Sequence, residues 1–330
     1  MRWLFKTSKF YVYSAYSALL VMAFASCSRN QDVSDDTTST IPDTGMYLSS
    51  QYTKEQIDST EIKYSERPNF QNLQYTSEKS KASDRNKPIL DLKLTLYTPP
   101  NAKTGKKQPL LVMIHGGGFL GGDKVAWRDE AYTYAKAGYV CASINYRLTL
   151  GGGNQSPQLR LFAVKTALED AQNAIRFLKK NADIYAVDVS KVVVFGASAG
   201  GVLSLLNAVE ADSPLGTSDF VGISSKTNGS IATGASLVND DPANQSGLIT
   251  YNASDSPVLM FHAKEYDSGG NGYTWTQNAV PTQQAINNSG NTCELIPQPN
   301  MTHIVSLSLG GSYWQYLKPF LWNKLKLSSL

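Results

Sequence analysis

The sequence predicts an α/β fold with a mostly parallel central sheet and helices on both of its faces. From residue 88 onward, short apolar runs alternate with longer segments whose apolar residues recur at helical spacing. Residues 110–114 and 192–195 are uninterrupted apolar runs, which are typical of strands that are covered on both faces. Residues 158–181 place their apolar side chains along one helical stripe. Strands that alternate with helices in this way build βαβ units and a parallel sheet.

The same patterns give the remaining elements. We expect strands near residues 70–76, 90–96, 110–114, 139–145, 192–195, 230–237, 258–261 and 293–296, and helices near 54–62, 127–137, 158–181, 199–209, 275–288 and 306–326. No long amphipathic lid is evident between them, so we expect no large separate cap domain. In such a sheet, ligands bind beyond the carboxyl ends of the strands.

The N-terminal segment indicates export. Residues 1–26 contain the basic Arg2, Lys6 and Lys9, no acidic residue, and an apolar stretch that ends in small residues before Cys27. The stretch is shorter than the roughly 20 apolar residues that span a bilayer. Small residues before a cysteine, followed by a polar tail, resemble a bacterial lipoprotein lipobox. The resemblance implies a lipid on Cys27 and membrane association without a spanning helix, with plain secretion as the alternative.

The mature chain is formally neutral. Residues 1–26 carry 3 of the 30 basic residues and none of the 27 acidic ones. A neutral protein has no broad basic surface, so nucleic acid is not expected as a partner. Residues 27–50 are rich in Ser, Thr, Asp and Asn and predict a flexible polar tether. Residues 51–87 predict a mostly polar N-terminal extension with a first strand, ahead of a catalytic domain over residues 88–330.

Cysteine usage gives no sign of a metal site. Beyond Cys27, only Cys141 and Cys293 remain, and they lie too far apart for a disulfide framework and lack metal-ligand spacing. Cys141 lies in an apolar strand-like run and is expected to be buried and inert. We therefore expect neither a metal nor another cofactor.

A short motif places Ser198 at a strand–helix junction. Residues 196–201 are Gly-Ala-Ser-Ala-Gly-Gly, between the apolar run 192–195 and a predicted helix. In this setting G-x-S-x-G forms a nucleophile elbow, a sharp turn that needs small residues around the serine. The turn exposes the hydroxyl, and the following helix points its positive N-terminal end at it. The sequence therefore predicts a nucleophilic serine, with an ordinary glycine-rich turn as the alternative.

A second glycine motif follows another strand. Residues 115–119 are His-Gly-Gly-Gly-Phe and come directly after the apolar run that ends at Ile114. Glycines allow backbone N–H groups to turn toward a ligand, and in acyl transfer such donors stabilise the tetrahedral oxyanion. An ordinary turn is the alternative. A phosphate-binding loop is disfavoured because no Gly-Lys-Ser/Thr follows.

The two motifs together resemble the α/β-hydrolase esterases and lipases of the hormone-sensitive-lipase and carboxylesterase type, which include bacterial acetyl and feruloyl esterases. The similar stretches are residues 110–124, 137–148, 170–201 and 256–267. The resemblance implies an α/β-hydrolase fold, a Ser–acid–His triad, and an oxyanion hole made by the N–H groups of Gly117, Gly118 and Ala199. Ala197 departs from the pattern, since many members have Asp or Glu before the serine.

Three histidines are available as the general base of such a triad. His115 lies in the glycine motif, and His262 ends the strand 258–261. The fold's chain order of serine, acid and histidine, together with the need for an accessible loop position, favours His303. A surface loop histidine is the alternative reading of His303.

The triad acid must follow a strand between the serine and His303. The carboxylates considered are Asp240, Asp241, Asp255, Glu265 and Asp267. The first three lie one strand too early or at the wrong end of a strand. Asp267 and Glu265 follow the strand 258–261, where the family's acid lies. We expect Asp267, with Glu265 as the alternative, to orient the base and stabilise the imidazolium that forms.

These features predict a serine carboxylic-ester hydrolase. The expected substrates are short-chain acyl esters or carbohydrate-linked acetyl or feruloyl esters, either as small molecules or on a polysaccharide. A lipase for longer acyl chains, a serine peptidase of the same fold, and a non-catalytic binding protein are the alternatives. The insert 268–275, with Tyr273 and Trp275, predicts either a platform for a sugar or aryl ring or a plain surface loop.

Overall fold

The computed structural model describes residues 41–68, 73–74, 89–149, 157–212, 218–239, 249–269 and 274–328. Contacts divide the chain after Thr40, and every described residue belongs to the unit formed by residues 41–330. The predicted export signal and lipid site at Cys27 lie outside the described residues. Within those ranges, no helix combines the length and the apolar character needed to cross a membrane.

The described residues form ten strands and five α-helices. The strands are β1 (Asp58–Pro68), β2 (Leu73–Gln74), β3 (Ile89–Thr98), β4 (Gln108–Ile114), β5 (Val140–Ile144), β6 (Leu148–Thr149), β7 (Val187–Ala197), β8 (Gly229–Thr233), β9 (Val258–Ala263) and β10 (Cys293–Gln298). The helices are α1 (Arg128–Lys136), α2 (Pro157–Lys180), α3 (Ala199–Val209), α4 (Val280–Asn288) and α5 (Trp314–Lys324).

Eight of the described strands form one sheet in the order β1-β3-β5-β4-β7-β8-β9-β10. The six strands from β5 to β10 in this order run parallel, whereas β1 pairs antiparallel with β3 and β3 pairs antiparallel with β5. The short strands β2 and β6 pair with each other in a separate ribbon. The predicted mostly parallel sheet is therefore confirmed.

Successive residues of β4 enter two different cores, because side chains alternate across a strand. Leu110, Val112 and Ile114 belong to one core, which also contains the buried faces of α2, α3 and α4. Leu111 and Met113 belong to the other core, with α1 and α5. Helices thus cover both faces of the sheet, as the uninterrupted apolar run of β4 predicted.

The parallel strands carry the functional residues to one edge of the sheet. β4 leads into the glycine motif, β7 leads into Ser198, β9 leads toward Asp267, and β10 leads toward His303. Because the carboxyl ends of parallel strands meet at the same edge, these residues converge. Between β8 and β9, the structure describes residues 234–239 and 249–257, and these contain no helix.

Several helix limits were close to prediction and others were not. α3 spans the predicted residues 199–209, and α2 begins and ends within one residue of the predicted range. The predicted helix 275–288 is divided, because a π-turn over Trp275–Ala279 precedes α4. Pro281, near the start of α4, has no N–H to continue the regular hydrogen-bond ladder.

The predicted helix over residues 54–62 is wrong. A single 3₁₀ turn (Lys54–Gln56) leads directly into β1. The side chains of β1 are mostly exposed, so its apolar pattern gave no strand signal, and pairing with β3 fixes its conformation. Of the predicted strand 70–76, the structure describes only β2, which pairs with β6.

The C-terminal helix begins later than predicted. α5 starts at Trp314, whereas the apolar pattern predicted a start at residue 306. Gly310 has φ 75° and Gly311 follows it, and two glycines oppose helix formation. The segment 304–308 remains a loop near α1, where it takes part in the site described below.

Residues 41–50 are not a tether. The backbone N–H of Tyr47 donates to the carbonyl of Ala137 at 2.7 Å, and its hydroxyl donates to Oε1 of Gln108 at 2.6 Å. Tyr47 and Leu48 are both buried. The predicted boundaries at residues 50 and 88 therefore do not separate structural units, since β1 is also an edge strand of the main sheet. The few apolar residues in this polar segment were too weak a signal to predict the packing.

Candidate active site

Ser198 occupies a strained turn between β7 and α3. Its φ of 52° and ψ of −121° lie in a region that residues other than glycine rarely adopt. The N–H of Ser198 donates to the carbonyl of Thr233, and the carbonyl of Ser198 accepts from the N–H of Val202, both at 2.9 Å. Gly200 allows α3 to approach β4, because a Cβ there would overlap the carbonyl oxygen of Ile114. The surrounding structure thus holds the serine at the top of the sheet.

His303 connects Ser198 to Asp267. Its Nε2 lies 2.9 Å from the Oγ of Ser198, and its Nδ1 lies 2.8 and 3.1 Å from the two carboxylate oxygens of Asp267. Asp267 is buried, whereas the side chain of His303 is 24% exposed. With the hydrogen on Nδ1, the ring donates to Asp267 and Nε2 can accept the proton of the serine. The three side chains form a continuous hydrogen-bonded chain from a buried carboxylate to a serine hydroxyl.

The surroundings of Asp267 favour its ionised form. Burial alone would raise the pKa of Asp267, but hydrogen bonds from His303 and from the N–H of Gly269 lower it, as do the charges of His303 and His262. The net pKa lies below the ordinary value of an aspartate. Asp267 is therefore a carboxylate at neutral pH, able to stabilise a positive charge on the imidazole.

The glycine motif after β4 presents unbonded N–H groups. Gly117 and Gly118 have φ of 111° and 63°, which residues with a Cβ rarely adopt. The carbonyl of Gly117 accepts from the N–H groups of Leu120 and Gly121 at 3.0 and 3.1 Å, which closes the loop. Among the described residues, no acceptor takes the N–H of Gly117, Gly118 or Ala199. These three donors are therefore available to a bound oxygen atom.

His115 and Gly116 hold this loop beside the serine. A Cβ on Gly116 would lie 2.9 Å from the carbonyl oxygen of Ala197 and 3.0 Å from the Cβ of Ser198. The Nδ1 of His115 lies 2.7 Å from the carbonyl of Gly116, and its ring stacks on Tyr146 with centroids 4.4 Å apart. Burial lowers the pKa of His115 to about 4, although the hydrogen bond to Gly116 favours the charged form. His115 is thus a neutral support of the loop at pH 7.

Solved structures identify the fold. Esterase 2 of Thermogutta terrifontis, phosphorylated by paraoxon, superimposes with a TM-score of 0.60 at 24% identity, covering 72% of this chain and 92% of that chain. The chain has the α/β-hydrolase fold. The butyrate-bound form of the same esterase gives a TM-score of 0.55 at 23% identity, covering 70% of this chain and 86% of that chain.

The sequence matches the BD-FAE family model over residues 94–233, which include both glycine motifs. It is 32% identical over 114 residues to pyrethroid hydrolase Ces2a of Mus musculus and 30% identical over 118 residues to ethyl acetate hydrolase of Pseudomonas putida. These matches cover 33% and 36% of this chain, and 19% and 34% of the relatives' own length. They confirm the resemblance to esterases of the carboxylesterase type. The family match ends before Asp267 and His303, so the evidence for those residues is geometric.

Glu265, the alternative candidate for the acid, lies apart from His303. Its side chain is exposed, its φ is 77°, and among the described residues it makes no hydrogen bond to His303. His262 is buried, with Nδ1 3.1 Å from the carbonyl of Ala263 and Nε2 3.7 Å from the carboxylate of Asp267. The structure therefore places His262 against the acid, away from the serine.

The other carboxylates considered as acids lie elsewhere. Asp255 precedes β9 and accepts from the N–H of Asn252 at 2.8 Å, at the opposite edge of the sheet. Asp240 and Asp241 lie outside the described residues, as does Tyr273 of the insert 268–275. Trp275 of that insert packs with its ring centroid 6.5 Å from that of His262.

Two buried polar residues hold the segment that carries His303, and neither was predicted. The Nε2 of Gln298 donates to the carbonyls of Thr302 and His303 at 2.9 and 3.2 Å. Its Oε1 accepts from the Oγ1 of Thr233 at 2.7 Å, and that Oγ1 accepts from the N–H of Val305 at 3.1 Å. Thr233 and Gln298 are the last residues of β8 and β10. A polar residue that ends a buried strand was the signal available in the sequence.

The described residues contain no group of three or more His, Cys, Asp or Glu side chains arranged to hold a metal ion. Cys141 and Cys293 are free and buried. Burial raises the pKa of Cys293 to about 12 and that of Cys141 well above the ordinary value of a thiol. Both thiols are therefore protonated at pH 7, and neither is a reactive nucleophile.

A pocket of about 350 Å³ opens beside Ser198. Its wall, which defines what we term the Glu130 pocket, includes Gly116, Trp127, Glu130, Ala197, Ile304 and Ser306. The indole N–H of Trp127 donates to the carbonyl of Ile114 at 2.9 Å, which fixes the ring against β4. The volume is at the lower end of the range for small-molecule sites.

Proposed function

We propose that this α/β-hydrolase is a serine carboxylic-ester hydrolase with Ser198 as nucleophile, His303 as general base and Asp267 as the acid that orients the base. The observation that carries the proposal is the hydrogen-bonded chain from Asp267 through His303 to Ser198, beside a loop with unbonded N–H groups. The carboxylesterase-type relatives support ester hydrolysis as the reaction class.

In the acylation half-reaction, Nε2 of His303 takes the proton of Ser198 as its Oγ attacks the ester carbonyl carbon. The carbonyl electron pair moves onto the oxygen, and the N–H groups of Gly117, Gly118 and Ala199 donate to this oxyanion. A single such donor lowers the barrier by roughly 3–4 kcal/mol. When the tetrahedral intermediate collapses, the carbonyl re-forms, the C–O bond to the alcohol breaks, and the imidazolium gives its proton to the leaving oxygen.

In the deacylation half-reaction, water replaces the alcohol. His303 takes a proton from the water, whose oxygen attacks the acyl carbon, and the same N–H groups hold the second oxyanion. Collapse breaks the bond to Oγ of Ser198, which regains a proton from His303, and the carboxylic acid is released. Asp267 keeps its negative charge throughout and stabilises each imidazolium, in agreement with the lowered pKa of its carboxyl group.

Short-chain acyl esters and carbohydrate-linked acetyl or feruloyl esters are the proposed substrates. A pocket of about 350 Å³ beside the serine suits a small ester, whichever half of the ester it receives. The Pseudomonas putida relative, named for ethyl acetate hydrolysis, supports an acetyl ester as the simplest substrate to test.

Replacing the serine tests the proposal. We expect Ser198→Ala to lower kcat on nitrophenyl acetate by about 10⁴-fold or more, because no nucleophile remains. A fluorophosphonate probe is expected to label the wild type at Ser198 and to leave the variant unlabelled. Ser190→Ala, which removes an exposed hydroxyl on β7, is the matched control and is expected to keep full activity. Full activity in the Ser198→Ala protein would contradict the proposal.

An ester panel then separates the alternatives. We expect acetyl and butyryl esters, feruloyl esters or acetylated xylan to be cleaved with higher kcat/KM than long-chain esters. A preference for long chains in aggregated form would indicate a lipase, and cleavage of a peptide in a parallel assay would indicate a peptidase.

A further inference from the structure

The position of the Glu130 pocket relative to the serine indicates which half of an ester it receives. Ala197 directly precedes Ser198, Ile304 directly follows His303, and both line the pocket. The leaving oxygen of an ester must lie next to Nε2 of His303, because that nitrogen gives it a proton. A pocket that continues along the segment after His303 therefore receives the alcohol half of the substrate.

Glu130 gives this pocket a hydrogen-bond acceptor. Its Oε1 accepts from the hydroxyls of Ser306 and Ser308, with oxygen–oxygen distances of 3.2 and 3.5 Å. The two hydroxyls also lie 2.8 Å from each other. Each hydroxyl can donate one hydrogen bond. When one serine donates to the other, only one hydroxyl proton is left to donate to the carboxylate of Glu130.

The second carboxylate oxygen of Glu130 has unused acceptor capacity. Among the described residues, its Oε2 accepts no hydrogen bond and Glu130 forms no ion pair. A carboxylate offers about four lone-pair positions, and it donates no hydrogen bond while ionised. Glu130 also lies in the first turn of α1, where the helix dipole stabilises negative charge. The chemistry of this wall fits a hydroxyl or ammonium group and opposes a second anion.

We propose that Glu130 is a specificity residue for the alcohol half of the ester and selects alcohols that carry a further hydroxyl or ammonium group. Oε2 of Glu130 accepts a hydrogen bond from that group while the ester carbonyl lies at Ser198. Alcohols without such a donor form no hydrogen bond with Glu130, and alcohols that carry a carboxylate are repelled by its negative charge. The inference rests on the proposed ester hydrolase function and deepens it by naming the class of alcohol.

Four acetate esters test this inference with the full-length protein. They are n-propyl acetate, glyceryl monoacetate, 2-(dimethylamino)ethyl acetate and acetoxyacetate, which carry an alkyl, a polyol, an ammonium and an anionic alcohol half. Acetate release gives kcat/KM for the wild type, Glu130→Ala and Asp129→Asn. Asp129 is the neighbouring acidic residue on α1, its side chain is 82% exposed, and it does not line the pocket. Asp129→Asn is therefore the control for a lost charge outside the pocket.

The wild type is expected to favour the polyol ester, the ammonium ester or both over n-propyl acetate. Glu130→Ala is expected to lower that preference roughly tenfold, since hydrogen bonds to charged groups commonly contribute at least that factor. It is also expected to raise kcat/KM for acetoxyacetate and to leave n-propyl acetate within twofold. Asp129→Asn is expected to match the wild type.

Each opposing result has a separate meaning. An equal change for all four esters in Glu130→Ala, or no preference in the wild type, would overturn the inference and leave the esterase function intact. Absence of hydrolysis of every ester by the wild type, nitrophenyl acetate included, would overturn the proposed function itself. The relative values of kcat/KM on the polyol ester and the ammonium ester decide whether Glu130 prefers a hydroxyl or an ammonium group as the donor.

Discussion

At the scale of single residues, two buried ionisable groups near the serine have different charge states because their hydrogen-bond partners differ. Asp267 is buried but receives hydrogen bonds from His303 and the N–H of Gly269, so its pKa is lowered. His115 is buried with only a backbone carbonyl as partner, so its pKa is lowered to about 4 and the ring is neutral. At pH 7 the carboxyl group of Asp267 is therefore negatively charged, and the imidazole ring of His115 is neutral.

Asp267→Asn tests the assignment of the acid. We expect kcat on nitrophenyl acetate to fall by roughly 10³–10⁴-fold, because an amide can donate to Nδ1 of His303 and favour the wrong tautomer. Glu265→Gln is the matched control, since Glu265 is exposed, and it is expected to stay within twofold of the wild type. The opposite pattern in the two variants would transfer the role to Glu265.

His115 makes folding stability depend on pH. Its folded pKa of about 4 lies below the unfolded value of about 6.5, so the unfolded chain binds a proton first on acidification. Stability is therefore fully present above about pH 6.5 and is lost as the pH falls toward 4, by about 3 kcal/mol for this group. The carboxylate of Asp267 adds a separate loss below about pH 4, because its own folded pKa is depressed.

Replacing His115 isolates its contribution. His115→Asn retains a donor for the carbonyl of Gly116 and removes the titration. The difference in unfolding free energy between pH 7 and pH 4.5, measured by urea denaturation, is expected to be smaller than in the wild type by about 2–3 kcal/mol. An unchanged difference would mean that the ring is already accessible to protons in the folded protein.

At the scale of elements, the ends of β8 and β10, the two strands that flank β9 in the sheet, position His303. Thr233 ends β8 and Gln298 ends β10, and their side chains bond each other and the backbone of residues 302–305. The position of His303 thus depends on two residues that make no hydrogen bond to Ser198 Oγ or to the Asp267 carboxylate. Gln298 is a positioning residue in this arrangement.

Gln298→Ala is expected to lower kcat about tenfold with little change in KM, because His303 loses its fixed position while the pocket is intact. Gln298→Glu keeps an acceptor for the hydroxyl of Thr233 but has no N–H for the carbonyls of Thr302 and His303, so it is expected not to restore kcat. Gln283→Ala removes an amide that bonds Cys293 at the other end of β10 and is expected to have no effect on kcat. Equal losses in kcat for the two alanine variants would argue for a general effect on stability.

The predictability of each element followed from where its side chains lie. β4 and α3 have buried, regularly spaced apolar residues, so their patterns were clear in the sequence. β1 is mostly exposed and exists because β3 offers it a partner, which no local pattern records. The start of α5 was misplaced because Gly310 and Gly311 interrupt an otherwise apolar segment.

At the scale of the whole molecule, the compact unit begins earlier in the chain than predicted. Tyr47 packs on Tyr139 with ring centroids 5.1 Å apart and bonds Gln108 at the start of β4. Leu48 is buried beside it. Residues 41–50 therefore cover one end of the core that contains α1 and α5.

Two truncated chains test this boundary. A chain that begins at residue 41 is expected to have the same free energy of unfolding, measured by urea denaturation, as a chain that begins at residue 27. A chain that begins at residue 51 is expected to be less stable by about 4 kcal/mol or more, because it loses the buried side chains of Tyr47 and Leu48. Equal stability of all three chains would show that this packing contributes nothing to folding.

The sequence by itself determined the fold class and the places where strands end in reactive motifs. Apolar runs and small residues around Ser198 are local properties, and the alternation of strands with helices along the chain predicts a parallel sheet. Only the tertiary structure decided which carboxylate faces His303, that Gln298 holds the histidine segment, and that Glu130 lines the pocket beside the serine. These contacts join residues far apart in the chain, and their existence depends on distances of a few ångströms that no local pattern encodes.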